Sequence, residues 1–180
     1  MTAPLQVGIE GVLSFPLAPH TDDRGSVTEI FRREWIPGGR EALQANLSVS
    51  EPNVLRGLHF HRQQSDYWCV LVGVALIGLF DLRAGSPTEG KKAEIRVDTA
   101  EGRQAIHIPP GVAHGYYAET VVMLEYLVDA YYTGQDEVGL AWDDPAVGIE
   151  WPSSRPILSV RDRSNPSLAE VLRDPPRYRP

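Results

Sequence analysis

RGLHFHRQQSDYWCVLVG, from Arg56 to Gly73, sets two histidines at i and i+2, then an aspartate, then an apolar run closed by a glycine. On an extended strand, residues two apart face one side, so His59 and His61 share a face and Leu58 and Phe60 take the other. Each imidazole carries polar atoms that need partners when buried, which makes two on one face hard to explain by packing alone. The pair therefore points to a polar cavity. Imidazole suits two tasks there. It moves protons near neutrality, its ordinary pKa being about 6.5, and it binds metals. The residue types leave both tasks open.

Outward from this stretch the chain reads as mainly β. Residues 27–32, 47–49, 67–71, 74–82, 94–98, 104–108 and 121–128 are rich in Val, Ile, Leu and aromatics and are punctuated by Gly, Pro, Asp or Ser. EIRVD (94–98) and RQAIHI (103–108) alternate polar with apolar, as half-buried strands do. Gly73 divides one long apolar run into two strands, and PPG (109–111) forms a turn. Many short strands at regular spacing predict a sandwich or barrel. In RSNPSLAEVLRD (163–174), Asn165 is expected to cap a short helix, with Pro166 at its first position and Leu168, Val171 and Leu172 as its apolar stripe. The closing PPRYRP is expected to be extended. No repeat, linker or low-complexity tract divides residues 1–180, which predicts a single domain.

Composition narrows the partners. The chain has 180 residues with a net charge of −7 and no cluster of Lys or Arg, which argues against a nucleic-acid surface. Placed arginines still allow an anionic ligand. The single cysteine, Cys69, sits in an apolar run, reads as a buried thiol and fits a reducing compartment. The first residues, MTAPLQVGIEGVLSFPL, lack a basic region followed by a long apolar core. The longest apolar run, 67–80, is too short for a spanning helix. A cytoplasmic protein with no membrane partner is the expectation.

Two segments combine into a longer pattern. The first reads G-x-H-x-H-x4-D-x6-G. The second, PPGVAHGYY (109–117), reads P-x-G-x2-H and places His114 after the turn. Together they resemble the two-part cupin pattern of a small jelly-roll β-barrel. By that resemblance His59, His61, Asp66 and His114 are candidate ligands for one divalent metal ion. Three imidazoles and a carboxylate suit Fe(II), Mn, Ni or Zn.

A second resemblance is longer. DDRGSVTEIF (22–31), VLRGLHF, DLRAGSPTEGK, IPPGVAHGY, EYLVDAYY, WDDPAVGIEWP and LSVRD (158–162) stand in the order and spacing of the dTDP-4-dehydrorhamnose 3,5-epimerase family. The resemblance implies an all-β cupin jelly roll with a short C-terminal helix. It also implies a homodimer that pairs or exchanges N-terminal strands, and no metal or organic cofactor. The implied substrate is a nucleotide-diphosphate 4-keto-6-deoxy sugar, epimerised at C3, C5 or both. His59 would be the base, Asp162 its orienting partner and Tyr126 the acid on the opposite face. Arg24, Glu29, Gln44, Asn46, Arg56, His114, Glu137 and Arg161 would contact the substrate.

The chain departs from that family at two places. Family members carry a lysine shortly after the RGLH motif, where this chain has Asp66, and commonly a glutamine where it has His61. An aspartate cannot supply the lysine's positive charge beside an enolate. An epimerase of altered scope accounts for this, with Arg56 or His114 supplying the stabilisation. So does an epimerase with a metal on His61, Asp66 and His114, in which His59 stays free as base. The competing readings are a metal-dependent isomerase or oxygenase with all four ligands engaged, and a non-catalytic sugar-binding cupin.

Overall fold

A computed structural model describes residues 4–134 and 136–179. Strands β1 (Leu5–Gln6), β2 (Leu13–Leu17), β3 (His20–Asp22) and β4 (Gly25–Val27) precede the stretch that opened the sequence reading. The chain continues through β5 (Gln44–Ser50), β6 (Leu55–His61), β7 (Asp66–Val72), β8 (Val74–Asp81) and β9 (Lys92–Asp98). It ends with β10 (Arg103–Ile108), β11 (Val112–Ala118), β12 (Val122–Val128), β13 (Glu137–Gly139) and the helix α1 (Leu168–Val171).

Two antiparallel sheets face each other. One has the order β1-β2-β10-β7-β12-β5 and the other β13-β6-β11-β8-β9, while β3 and β4 form a separate hairpin. Trp68, Val70, Ile106, Ile108 and Leu124 from the first sheet interdigitate with Ile77, Leu79, Val97, Val112 and Tyr116 from the second. This is the jelly-roll arrangement expected for an all-β cupin. Each sheet is also covered on its outer face. Leu58, Phe60, Phe80 and Leu82 pack beneath Leu140, Val147, Leu168 and Val171. Leu13, Phe15, Tyr67 and Cys69 pack beneath Ile30, Phe31, Trp35 and Ile36.

Most expected strands form, because alternation and β-branched content specify a half-buried ladder. The differences have physical causes. Residues 28–32 are not a strand: β4 ends at Val27, and Ile30 and Phe31 lie over the outer face of the first sheet as a strap. Their apolar side chains mimic a strand because they bury one face without pairing. His114, which follows the turn, lies within a strand absent from the sequence reading, β11, all seven of whose residues are buried. The helix cap is Ser167, whose hydroxyl and backbone exchange hydrogen bonds with Glu170 in a capping box. Asn165 instead donates its side-chain amide to the carbonyl of Leu58. Leu168 and Val171 are buried, whereas Leu172 falls at the C-cap and is exposed.

Residues 175–179 are extended as expected, and Pro180 lies outside the described residues. Ala84 accepts from Tyr178 N–H and donates to Pro176, and the Arg83 guanidinium lies 5.2 Å over the Tyr178 ring. Gly73 has φ +99°, and a Cβ there would stand 2.1 Å from the Val121 carbonyl oxygen, so β7 turns into β8 only with glycine.

One irregularity shapes the site. In the β6–β11 register His114 opposes His59, but Tyr116 opposes Arg56, so three steps on β6 match two on β11. This is a bulge centred on Gly57, whose φ is +120° and whose would-be Cβ lies 2.7 Å from Gly115 Cα. A regular strand would turn Arg56 away from His59. The bulge resets the parity, and both line the same cleft.

Candidate active site

Between the sheets lies a cleft of about 430 Å³, within the size range of small-molecule sites. Three strands of the second sheet bring residues to it: β6 with Arg56, His59 and His61, β11 with His114 and Tyr116, and β13 with Glu137. The first sheet brings Gln44, Asn46 and Ser48 from β5, Asp66 and Trp68 from β7, and Tyr126 from β12. Ser159, Arg161 and Asp162 enter from the C-terminal segment. That segment is pinned beside the start of β6, where Leu55 N–H donates to the Ile157 carbonyl and Ile157 N–H to that of Asn53.

The pinning brings Asp162 to His59 across a sequence separation of 103. His59 Nε2 and Asp162 Oδ1 are 2.6 Å apart, and Nδ1 of the same ring lies 3.6 Å from Glu137 Oε1. Glu137 is held in turn by the Arg161 guanidinium. Burial of Asp162 would raise its pKa, but hydrogen bonds from His59, Ser159 and the Gly57 backbone outweigh it and hold the carboxyl below its usual range. The carboxylate then accepts from Nε2–H, which leaves the lone pair on Nδ1.

Tyr126 stands on the opposite sheet. Burial raises its pKa, and the charges of Asp66 and Glu137 add to this against Arg56, so the phenol keeps its proton. Gln44 donates to Asn46 Oδ1 at 2.9 Å and accepts from Tyr132 N–H at 3.2 Å. Arg56 donates through Nε to Ser50 Oγ at 2.9 Å and through Nη2 to the Val49 carbonyl at 3.2 Å.

Deeper in the cleft His61, Asp66 and His114 form a second group, all three buried, with one potential ligand atom from each within 4.8 Å of the others. Asp66 Oδ1 is 3.8 Å from His61 Nε2, and Oδ2 is 3.7 Å from His114 Nε2. Gln64 and Trp68 hydrogen-bond the same two oxygens at 2.8 and 3.1 Å. Burial pushes His114 down to about 4, only partly opposed by Asp66, so its ring is neutral. Its Nδ1–H is donated to the Val112 carbonyl at 3.0 Å, and Nε2 therefore presents a lone pair. Of the four candidate ligands read from the sequence, these three converge. His59 stands apart with Asp162 and Glu137.

Two expected contacts lie elsewhere. Arg24 is paired with Asp22 at 2.5 Å on the exposed β3–β4 hairpin, with its side chain 90% exposed. Glu29 is held by Arg32 and lines a separate groove with Phe15 and Trp35. Neither lines the cleft of its own chain: Arg24 sits on a hairpin that belongs to neither barrel sheet, and Glu29 lies in the strap that follows it. Conversely, Ser48, Trp68, Tyr116 and Tyr132 line the cleft and were not singled out in the sequence. The first three share strand parity with Asn46, Asp66 and His114, so the period of two was signal enough. The Tyr116 hydroxyl bridges Ser48 and Ser50 at 2.9 and 2.7 Å.

The sequence model for dTDP-4-dehydrorhamnose 3,5-epimerase matches residues 6–170. The chain belongs to that family. It is 37% identical over 161 residues to a dTDP-4-dehydrorhamnose 3,5-epimerase of Sinorhizobium fredii, covering 83% of this chain and 81% of the relative. Among solved structures, the epimerase of Mycobacterium tuberculosis superposes with a TM-score of 0.92 at 29% identity, covering 98% of this chain and 94% of that one. A 3'-monoepimerase from Streptomyces bikiniensis in complex with dTDP-quinovose superposes with a TM-score of 0.85 at 33% identity, covering 96% and 90%. Membership makes the protein an isomerase on a cupin-type fold. Among the described residues no helix is long and apolar enough to cross a membrane.

Proposed function

We propose that this epimerase acts on a nucleotide-diphosphate 4-keto-6-deoxy sugar. It inverts C3, C5 or both by removing a proton beside the ketone and returning one from the other face. The observation that carries this reading is the His59–Asp162 pair on one side of the cleft with Tyr126 on the opposing sheet. The C4 ketone acidifies its neighbouring C–H bonds, and inversion needs a base and an acid on opposite faces of the ring.

In this reading His59 Nδ1 takes the proton from carbon. The C–H electron pair moves into the enolate, whose charge falls on the C4 oxygen, and Asp162 balances the imidazolium. Tyr126 then gives its phenolic proton to the same carbon from the far side. His59 releases its proton to water and Tyr126 regains one, so nothing is consumed, and side chains carry out both proton transfers without an organic cofactor. Gln44, Asn46, Arg56 and Arg161 meet the sugar and diphosphate, where a guanidinium fork pairs two oxygens. Arg24 and Glu29 serve the cleft of a second copy in a homodimer joined through the β3–β4 region. The enzyme works as one domain in the cytoplasm, in keeping with its single buried thiol.

The test is solvent deuterium uptake into dTDP-linked 4-keto-6-deoxy sugars. The wild type is expected to incorporate deuterium at C3, C5 or both and to invert those centres. His59→Ala should slow uptake by about 10²–10⁴-fold with the fold intact. Unchanged uptake removes His59 from the mechanism. Tyr126→Phe should still exchange but largely retain configuration, and full epimerisation by that variant would sink its role as acid.

A further inference from the structure

We propose that His61, Asp66 and His114 bind one first-row divalent transition-metal ion at the floor of the cleft, beside the proton-transfer pair and separate from it. Three observations converge on this. First, the donor atoms face one another without bonding. Each Asp66 oxygen lies 3.7–3.8 Å from an imidazole Nε2, too far for a hydrogen bond and near the spacing of two ligands on one ion. Two bonds of about 2.1 Å meeting at a tetrahedral angle set their ligand atoms roughly 3.4 Å apart, so the 3.7–3.8 Å pairs need close by only a few tenths of an ångström and the widest pair, within 4.8 Å, by up to about 1.4 Å shared between two side chains.

Second, the surroundings orient two of the ligands. The Val112 carbonyl takes the Nδ1–H of His114 and fixes the ring with Nε2 towards Asp66. Gln64 and Trp68 each hold one Asp66 oxygen, as outer hydrogen bonds do around metal ligands. Third, His61 Nδ1 is buried without a hydrogen-bond partner and Nε2 stands 3.8 Å from Asp66 Oδ1, beyond hydrogen-bond reach, so no bond to Asp66 explains why this buried imidazole faces the cluster. Two imidazoles with a carboxylate favour Zn, Fe(II), Co or Ni over Mg or Ca.

The charge balance of the cleft supplies a use for the ion. The lining holds three carboxylates, Asp66, Glu137 and Asp162, against two guanidiniums, Arg56 and Arg161, of which Arg161 is bound by Glu137. The Nδ1–H of His114 is taken by the Val112 carbonyl. A cation on the floor would supply the missing positive charge for substrate oxygens. That use rests on the epimerase reading, whereas the binding of the ion does not.

The experiment is a Co²⁺ titration of the chelated full-length protein, followed by visible absorption, alongside metal analysis of the protein as purified. Saturation at one Co²⁺ per chain is expected. His61→Ala should weaken binding by at least about 100-fold, and Trp68→Phe by about 10–100-fold. His59→Ala should change it by less than about threefold. Far-ultraviolet circular dichroism checks that each variant is folded, and the wild-type titration needs no variant at all. Absence of saturable Co²⁺ binding by the wild type overturns the proposal. So does binding that His61→Ala leaves intact, or that His59→Ala abolishes equally. Deuterium exchange on the same samples keeps the two readings apart. Exchange without metal binding removes only the metal site, and binding without exchange removes only the proposed substrate and proton-transfer reading.

Discussion

Asp66, at the start of β7, and Asp81, at the end of β8, are both buried carboxylates, yet their surroundings differ in kind. Asp81 is fully buried and saturated. It accepts from Arg83 Nε and Nη2 at 2.7 and 2.8 Å, from Arg83 N–H at 3.1 Å, and from the hydroxyls of Ser86 and Thr88 at 2.6 Å each. Asp66, 4% exposed, accepts from two donors and faces two imidazoles that stand just out of reach. A saturated carboxylate holds a fold together. One left with free lone pairs towards a cleft has capacity to bind something else. Burial alone would not have told them apart; the count and distance of partners does.

That contrast is broken most directly by removing each charge. Asp81→Asn should cost about 3–5 kcal/mol, because it leaves the Arg83 guanidinium buried and unpaired. Asp66→Asn should cost less than about 1 kcal/mol, since loss of a buried charge offsets a weakened hydrogen bond. Urea denaturation of both variants measures this. Equal costs would mean that Asp66 is as structural as Asp81, and the difference in partners would carry no meaning.

Asp162 sharpens the contrast, because it is buried, well satisfied and still in the cleft. Its partner is a histidine that has to change charge, so its effect should appear more in rate than in stability. Asp162→Asn places an amide N–H against His59 Nε2, which favours the other tautomer and takes the lone pair from Nδ1. Deuterium exchange is expected to fall by about 10²-fold, with the urea midpoint moving little. The opposite pattern would make Asp162 a structural residue like Asp81.

Acid should reveal the same division more gently. The carboxyls of Asp81 and Asp162 are both held below their ordinary range, by hydrogen bonds that outweigh burial. A depressed folded-state pKa means that the stabilisation is fully present above the unfolded value of about 3.9. It is lost as pH falls below that value through the folded pKa. Stability should therefore be level down to about pH 4 to 5 and fall below it. Asp81→Asn should flatten that fall more than Asp162→Asn, because Asp81 has more donors to lose. A wild-type curve with no loss below pH 4 would contradict both assignments.

The sequence carried the barrel and half of the cleft, for reasons visible in particular residues. Alternation located the paired strands and set His59 and His61 on one face, opposite Leu58 and Phe60. It misled over 28–32, where Ile30 and Phe31 bury a face without pairing, and it left β11 unassigned, because a strand buried on both faces does not alternate. It could not show that Arg56 joins His59, because the Gly57 bulge breaks the period on which the inference rests. Asp162 was reachable only through family resemblance, since a contact across a separation of 103 leaves no local periodic trace. The separation of His59 from His61, Asp66 and His114 is likewise a matter of three-dimensional distance.

The outer layer offers the smallest effect and a control on all the others. Cys69 lies on the face of β7 opposite Asp66 and Trp68, packed beneath the strap that carries Ile30 and Phe31. Burial pushes its thiol up to about 12, with the Glu125 charge adding to this and Arg103 opposing it. At pH 8 about one thiol in 10⁴ is then ionised, and reaction with a thiol-specific disulfide reagent should track opening of the layer rather than chemistry at the surface. One thiol per chain should react in denaturant and almost none in the native protein. Asp66→Asn should leave that native rate unchanged, whereas Asp81→Asn should raise it in proportion to the unfolded population. Rapid native labelling in the wild type would mean that the strap opens locally. Stability comparisons between cleft variants would then have to be read from the inner core alone.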